Sequence, residues 1–566
     1  MSLQSDPTSS SMPSKSDSPP PTLKNLLKVR DIWALGVGAT ITGEYMGWNL
    51  GMNGNSPIAM LIASLIACLL YLTWVLALSE LSVAMPFAGG PLAYGRRAAD
   101  PSLGFVMGWS MFLECLFATI TIALATGGYV AFLVGTMYET EPSLTVQVST
   151  ALITVVIFFF MHAWGVKEQS VLMLVLTYGA IVGLLIFWGA AATSFSFSNV
   201  WTDPILPAAK GWKSVLDAVP YALWWLLIIE TIALAAEEAH EPSRTIPRGL
   251  VWAQLTLIVL AGLTWLLACG AVSDPQALAK DVHGLDVSYP LAMIVRDSPA
   301  GKSNPIVVYG FGFIALFGLV SGYHGIMFGT SRQAFAMGRD GYLPSFLGKV
   351  HPKTRTPVNA LAVSAVICAA FIILNIWFKD AIAVALLIST LTALVWYILA
   401  MGCLYVLRKK DPQLFQNFRA PLYRALPATV VILSIFAAYV YSGIDVKVVP
   451  MTAALYAIGL SYFWFFAHER VQRQETGGAL GMIVSKAYSE AKMHTTPEAW
   501  YDPVLEKIAV GVLGASVVSI LWMILVAMYP NLLRLGSESL EAAIIIILML
   551  VTLLLVSAVA LRQTRK

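Results

Sequence analysis

Long apolar stretches alternate with short polar ones along the whole chain. Continuous apolar windows lie at about 32–54, 57–81, 103–136, 144–164, 170–193, 215–237, 248–273, 306–335, 357–378, 380–407, 425–443, 448–468, 505–529 and 539–561. About 20 apolar residues in a helix match the hydrocarbon core of a bilayer, and only helices and closed barrels satisfy their backbone there. Runs this long and unbroken read as helices, so the pattern predicts fourteen transmembrane spans in an all-α polytopic membrane protein. Windows three and eight exceed one crossing and are expected to tilt or to extend beyond the membrane. The first 22 residues are rich in Ser and Pro without an apolar run, and they read as part of a disordered N-terminal tail over 1–30. Residues 31–468 then form a core of twelve spans. A polar connection follows at 469–503, and a further two-helix pair with a short tail occupies 504–566.

Composition excludes the soluble classes. Of 566 residues, 58% are hydrophobic and 12% charged, with a mean hydropathy of +0.74. Soluble proteins carry about 25% charged residues, so this chain could not cover a water-facing surface. A net charge of +3 is too small to imply a nucleic-acid partner. The five cysteines, Cys68, Cys115, Cys269, Cys368 and Cys403, all fall in apolar windows without metal-ligand spacing. They read as small hydrophobes, and neither disulfide nor metal site is expected.

The distribution of charge carries more than its sum. With the N-terminus in the cytoplasm, 27 of the 35 Lys and Arg residues fall on the cytoplasmic side and eight on the other. That asymmetry matches the positive-inside rule. It predicts a multi-pass protein of the cytoplasmic (inner) membrane with both termini cytoplasmic. On this placement Arg248, Arg332 and Lys507, at the edges of their windows, count as cytoplasmic and no Lys or Arg is left within a span, whereas Glu44, Glu114 and Glu230 each lie well inside one. A carboxylate at helix centre costs roughly 2.5–3.5 kcal/mol on insertion scales, and such groups usually face a cavity or a partner. A proton, Na⁺ or a cationic substrate is expected to neutralise them.

Span one carries Gly43-Glu44-Tyr45-Met46-Gly47-Trp48-Asn49. Glycines beside a charge suggest a discontinuous helix of the kind transporters use near the midplane. Gly43, Gly47 and Gly51 also fit a small-residue packing face, which would not need Glu44, Trp48 or Asn49. Span six, around Pro220 to Thr231, has no glycine. Its anomalies are Pro220, the pair Trp224-Trp225 and Glu230, and tandem tryptophans near a helix end are commonly interfacial anchors.

Three stretches near span ends carry a family likeness: Ser79 to Ala98 with Gly104-Phe105-Val106-Met107-Gly108-Trp109, then Ala236 to Arg248, then Gly329 to Pro344 running to Thr356-Pro357. Together they resemble the amino acid–polyamine–organocation transporter superfamily over about residues 30–470. Within it, the segment Gly43–Asn49, the Gly89–Ala98 segment and Tyr323-His324-Gly325 resemble bacterial ethanolamine permeases. The resemblance implies a core of two inverted five-helix repeats with spans one and six broken at the site. It also implies a secondary transporter working by alternating access on a small amine, with no enzyme activity and no cofactor beyond proton or Na⁺ coupling.

Departures from the family pattern narrow the substrate. Amino-acid-carrying relatives typically have a Gly-small-Gly turn whose N–H groups hold the substrate carboxylate, and the matching positions here are Gly47-Trp48-Asn49. Trp48 would fill the space a carboxylate needs, which favours an amine without one, such as ethanolamine. Ile228 falls where many relatives have glycine in the unwound part of span six. Trp224 matches an aromatic that covers substrate, Glu230 a carboxylate implicated in proton-linked recognition, and Ala180 a lysine used by some members for proton coupling. Tyr45, Trp48, Trp224 and Trp225 could hold an ammonium over aromatic faces, and His324 could donate to a substrate hydroxyl. The substrate-binding set expected from the sequence is therefore Gly43, Glu44, Tyr45, Gly47, Trp48, Asn49, Glu114, Trp224, Trp225, Ile228, Glu230 and His324.

Two rival functions stay in view. One is an amino acid or polyamine permease of the same superfamily. The other is a non-transporting ligand sensor, against which 469–503 and the short tail leave no room for an output domain. No phosphate-cradling loop is present, so direct ATP use is not expected. The last two helices could serve a homodimer contact, regulation or anchoring alone.

Overall fold

The computed structural model describes residues 27–476 apart from 87–88, 378–379, 417 and 442–446. The N-terminal tail, most of the 469–503 connection and predicted spans thirteen and fourteen lie outside the described residues. Among the described residues the chain is helical, with only two isolated bridges, Leu27 with Ala239 and Lys280 with Asp286.

Among the described residues, eight helices are long and apolar enough to cross a membrane: Pro57–Ala84, Pro101–Tyr138, Leu144–Trp164, Gln169–Ala192, Pro242–Ala271, Pro305–Arg339, Ala381–Lys410 and Val448–Gln472. Two shorter apolar helices, Val358–Leu374 and Leu426–Tyr441, fall at predicted spans nine and eleven. Local chemistry starts several of these helices. Ser56, Asp100 and Asn304 each accept a hydrogen bond from a first-turn backbone N–H just before a proline at the first helical position. Proline has no N–H to lose there, and the cap satisfies one that would otherwise be orphaned. Span three, Pro101–Tyr138, runs 38 residues or about 57 Å at the helical rise, longer than one crossing as its window predicts. It packs against spans four, eight and ten, and 83% of its most apolar window is buried, against 22% for spans four and twelve. Span three is thus central and the latter two face lipid.

The two remaining apolar windows are interrupted. Span one is helical over Val29–Thr40 and Thr42–Tyr45, becomes extended at Met46, turns through Gly47 at φ 98° and resumes as a 3₁₀ segment over Trp48–Met52. Span six is helical over Lys213–Ala222, tightens to a 3₁₀ turn over Leu223–Trp225 and leaves helical geometry until Thr231–Leu234. Ile228 sits between them at φ 77°. A β-branched residue at positive φ is an outlier that surrounding packing must hold in place, and Ile228 is 1% exposed. So the second interruption occurs without the glycine that would advertise it.

One sequence expectation is corrected. Arg332, counted above among the basic residues of the cytoplasmic side, is buried inside the bundle at the end of span eight, where its Nε donates to Glu238 Oε1 at 2.9 Å. Its guanidinium also stacks 3.8 Å from the Phe328 ring centroid. The same stretch after span six is tied to the chain's start, since Leu27 N–H donates to the Glu238 carbonyl and His240 N–H to that of Leu27.

Candidate functional site

The two interruptions lie face to face because Gly43 lets them. A Cβ at Gly43 would stand 2.6 Å from the Trp224 carbonyl oxygen and 3.0 Å from Trp225 Cα, and one at Gly47 would meet the Trp224 ring at 2.3 Å. Small size, more than helix breaking, is what Gly43 contributes. Trp48 stacks on Trp225 with centroids 4.9 Å apart and planes 14° from parallel. Trp225 Nε1 donates to Ser64 Oγ at 3.0 Å and Trp48 Nε1 to the Glu44 carbonyl at 3.3 Å. Both tryptophans of span six are buried, at 3% and 1% exposure, so neither is an interfacial anchor. Gly43, Gly47, Trp48, Trp224, Trp225 and Ile228 are therefore assembled into one place.

The three intramembrane acids divide into two groups. Glu44 is fully buried in span one, and neither of its carboxyl oxygens has a hydrogen-bond donor. Glu114 of span three and Glu230 of span six adjoin each other through their carboxyl groups. Trp396 Nε1 donates to Glu114 Oε2 at 2.6 Å, and the Tyr397 hydroxyl donates to Glu230 Oε1. Span ten supplies both donors from consecutive residues. Trp74 stacks on Tyr397 at 4.0 Å and meets Trp396 edge-on at 4.8 Å, and Tyr71 meets Tyr397 edge-on. Among the described residues no lysine or arginine pairs with any of the three acids. Trp396, Tyr397, Trp74 and Tyr71 were not foreseen. Aromatic residues in a span look like packing, and nothing in their spacing announces a buried carboxyl group.

Three expected site residues are engaged elsewhere. The Tyr45 hydroxyl donates to the Ala180 carbonyl of span five at 2.6 Å, the position where some relatives carry lysine. Asn49 accepts from Gly47 N–H at 2.8 Å and donates to the carbonyls of Leu278 and Val287 at 2.6 and 2.8 Å. It thereby pins the loop between span seven and the Pro290–Asp297 helix to the first interruption. The other side of that loop is held by Asp286, which accepts from Lys280 Nζ at 2.6 Å and from Ala383 N–H at 3.1 Å. Burial pushes the Asp286 carboxyl above the usual carboxylate range, against the pull of Lys280. His324 Nε2–H donates to the Gln169 carbonyl, 3.2 Å away, and its ring lies 4.2 Å from that of His162.

Paired interruptions, buried acids without basic partners and an aromatic stack define a membrane carrier rather than a catalyst. A family model described as amino acid permease matches residues 29–466, and the chain belongs to the amino acid permease family. It is 28% identical over 471 residues to an uncharacterized transporter of Rhizobium meliloti, covering 81% of this chain and 96% of that one. A branched-chain amino acid permease of Bacillus subtilis is 25% identical over 73% of this chain and 88% of its own. A methylthioribose transporter of the same organism is 26% identical over 72% and 86%. The protein is a multi-pass membrane transporter, not an enzyme.

Proposed function

We propose that this chain is a secondary transporter that moves a small organic amine lacking a carboxylate, ethanolamine above all, across the cytoplasmic membrane by alternating access, with both termini in the cytoplasm. The observation that carries the reading is the state of the first interruption. The Gly47 N–H, which could hold a substrate carboxylate, is already taken by Asn49, and the neighbouring Trp48 is stacked on Trp225. Beside it, Glu44 presents two oxygens with no donor, a place for an ammonium and not for an anion. A fully buried anion without a partner is strongly disfavoured, so a cation that enters here is stabilised by what it neutralises. Trp48 and Trp225 add aromatic faces that favour the same charge.

The second reading is an amino acid permease, and the branched-chain permease of Bacillus subtilis favours it. A thermal-shift panel on the purified protein in lipid nanodiscs separates the two. Stabilisation by ethanolamine that is lost in Glu44→Gln supports the proposal. Stabilisation by leucine or alanine, with ethanolamine inert, supports the rival and removes the first.

A further inference from the structure

We propose that Glu114 and Glu230 form a proton-binding site in which the two carboxyl groups share a single proton, clamped from one side by Trp396 and Tyr397. Each carboxyl has one oxygen held by a span-ten donor, Glu114 Oε2 by Trp396 and Glu230 Oε1 by Tyr397. Each also has one oxygen, Glu114 Oε1 and Glu230 Oε2, that accepts no well-formed hydrogen bond, with the Trp74 indole and the Glu230 backbone lying close to the Glu230 carboxyl. Both residues are fully buried and their side chains adjoin. Two anions in contact in a dry interior repel strongly, whereas one proton between the two bare oxygens makes a short charge-assisted hydrogen bond and leaves a single negative charge. The aromatic donors stabilise that remaining charge without supplying a proton at neutral pH. Other titratable groups near the pair are Tyr71 from span two, Cys115 from span three itself and Tyr456 from span twelve, and none of them is a base.

Position gives the pair its leverage. Glu114 lies in the central, unbroken span three, and Glu230 immediately precedes the Thr231–Leu234 helix at the end of the span-six interruption. Loading the proton joins a fixed element to the broken one, and releasing it to water drives them apart by charge repulsion. The proton is taken from water on one side and returned to water on the other, with no other bond made or broken. This assignment concerns the driving ion and stands apart from the identity of the substrate.

Infrared difference spectroscopy of the full chain in lipid nanodiscs, titrated with pH in H₂O and D₂O without substrate, tests it. A shared proton gives a deuterium-sensitive protonated-carboxyl band that disappears in Glu114→Gln and equally in Glu230→Gln, because the glutamine amide donates to the remaining carboxylate. Glu44→Gln identifies any band from the third acid. Trp396→Phe and Tyr397→Phe keep both carboxyl groups and should shift the band without removing it, which covers the case in which a glutamine variant fails to fold. Separate bands that vanish one per variant, no such band at any pH, or displacement of the band by NaCl at constant ionic strength would each overturn the proposal. Because no substrate is present, ethanolamine could fail in every other assay and leave this result standing.

Discussion

At the scale of single residues, the side chains that matter are those whose needs the protein does not meet. Glu44 has two buried oxygens and no donor, and on the proposed reading its requirement falls on the substrate that enters. Glu44→Gln should weaken ethanolamine binding by about 1.5–3 kcal/mol, roughly tenfold to a hundredfold, as expected for losing a charged hydrogen-bond partner. Isothermal titration calorimetry would show it, and an unchanged affinity would place the ammonium elsewhere. Gly43 makes a different demand, for space. Gly43→Ala puts a methyl group within 2.6 Å of a backbone oxygen and should abolish transport while costing about 1–3 kcal/mol of stability, read from uptake and thermal unfolding of the same preparation. The three acids were legible in the sequence because a charge inside an apolar window stands out against its neighbours and costs free energy to place there. Trp396 and Tyr397 were not, because indole and phenol rings serve packing as readily as hydrogen bonding and only the fold shows what they point at.

Among the elements, the two interruptions differ in how they are written. The first is spelled out by glycines around Glu44, and Gly47 takes the positive φ that the turn requires. The second has no such mark, since Ile228 is driven to φ 77° by the packing around it, and sequence propensity cannot anticipate a conformation that tertiary contacts impose. The loop at 272–289 belongs to the same system, because Asn49 holds it through two backbone carbonyls. Asn49→Ala leaves both carbonyls without that donor, at a cost of about 1–3 kcal/mol each where they stay buried. Amide hydrogen exchange over 278–289 should accelerate and the unfolding temperature should fall. Unchanged exchange there would mean that Asp286 alone fastens the loop.

For the whole molecule, the contrast among the described residues lies between acids with no basic partner and the ion pair buried on both sides. Arg332 and Glu238 are 1% and 0% exposed at their side chains, at the end where Leu27 is also tied down. Arg332 falls near the edge of its apolar window, which is why the sequence counted it on the cytoplasmic side, and burial at a span end depends on neighbours that periodicity does not reveal. Arg332→Met should destabilise by about 3–5 kcal/mol, since it leaves Glu238 without its guanidinium, and adding Glu238→Gln should restore part of the loss. Thermal unfolding of the single and double variants would register both, and full additivity would contradict a coupled pair. On the proposed reading, the remaining acids make the interior favour positive charge, and the Trp48–Trp225 stack at the first interruption stands in place of a carboxylate site. Uptake of labelled ethanolamine into proteoliposomes tests that claim most directly. The account predicts saturable uptake that excess leucine and alanine fail to inhibit and whose half-saturating concentration Glu44→Gln raises, whereas saturable leucine or alanine uptake, with ethanolamine neither carried nor competing, would contradict it.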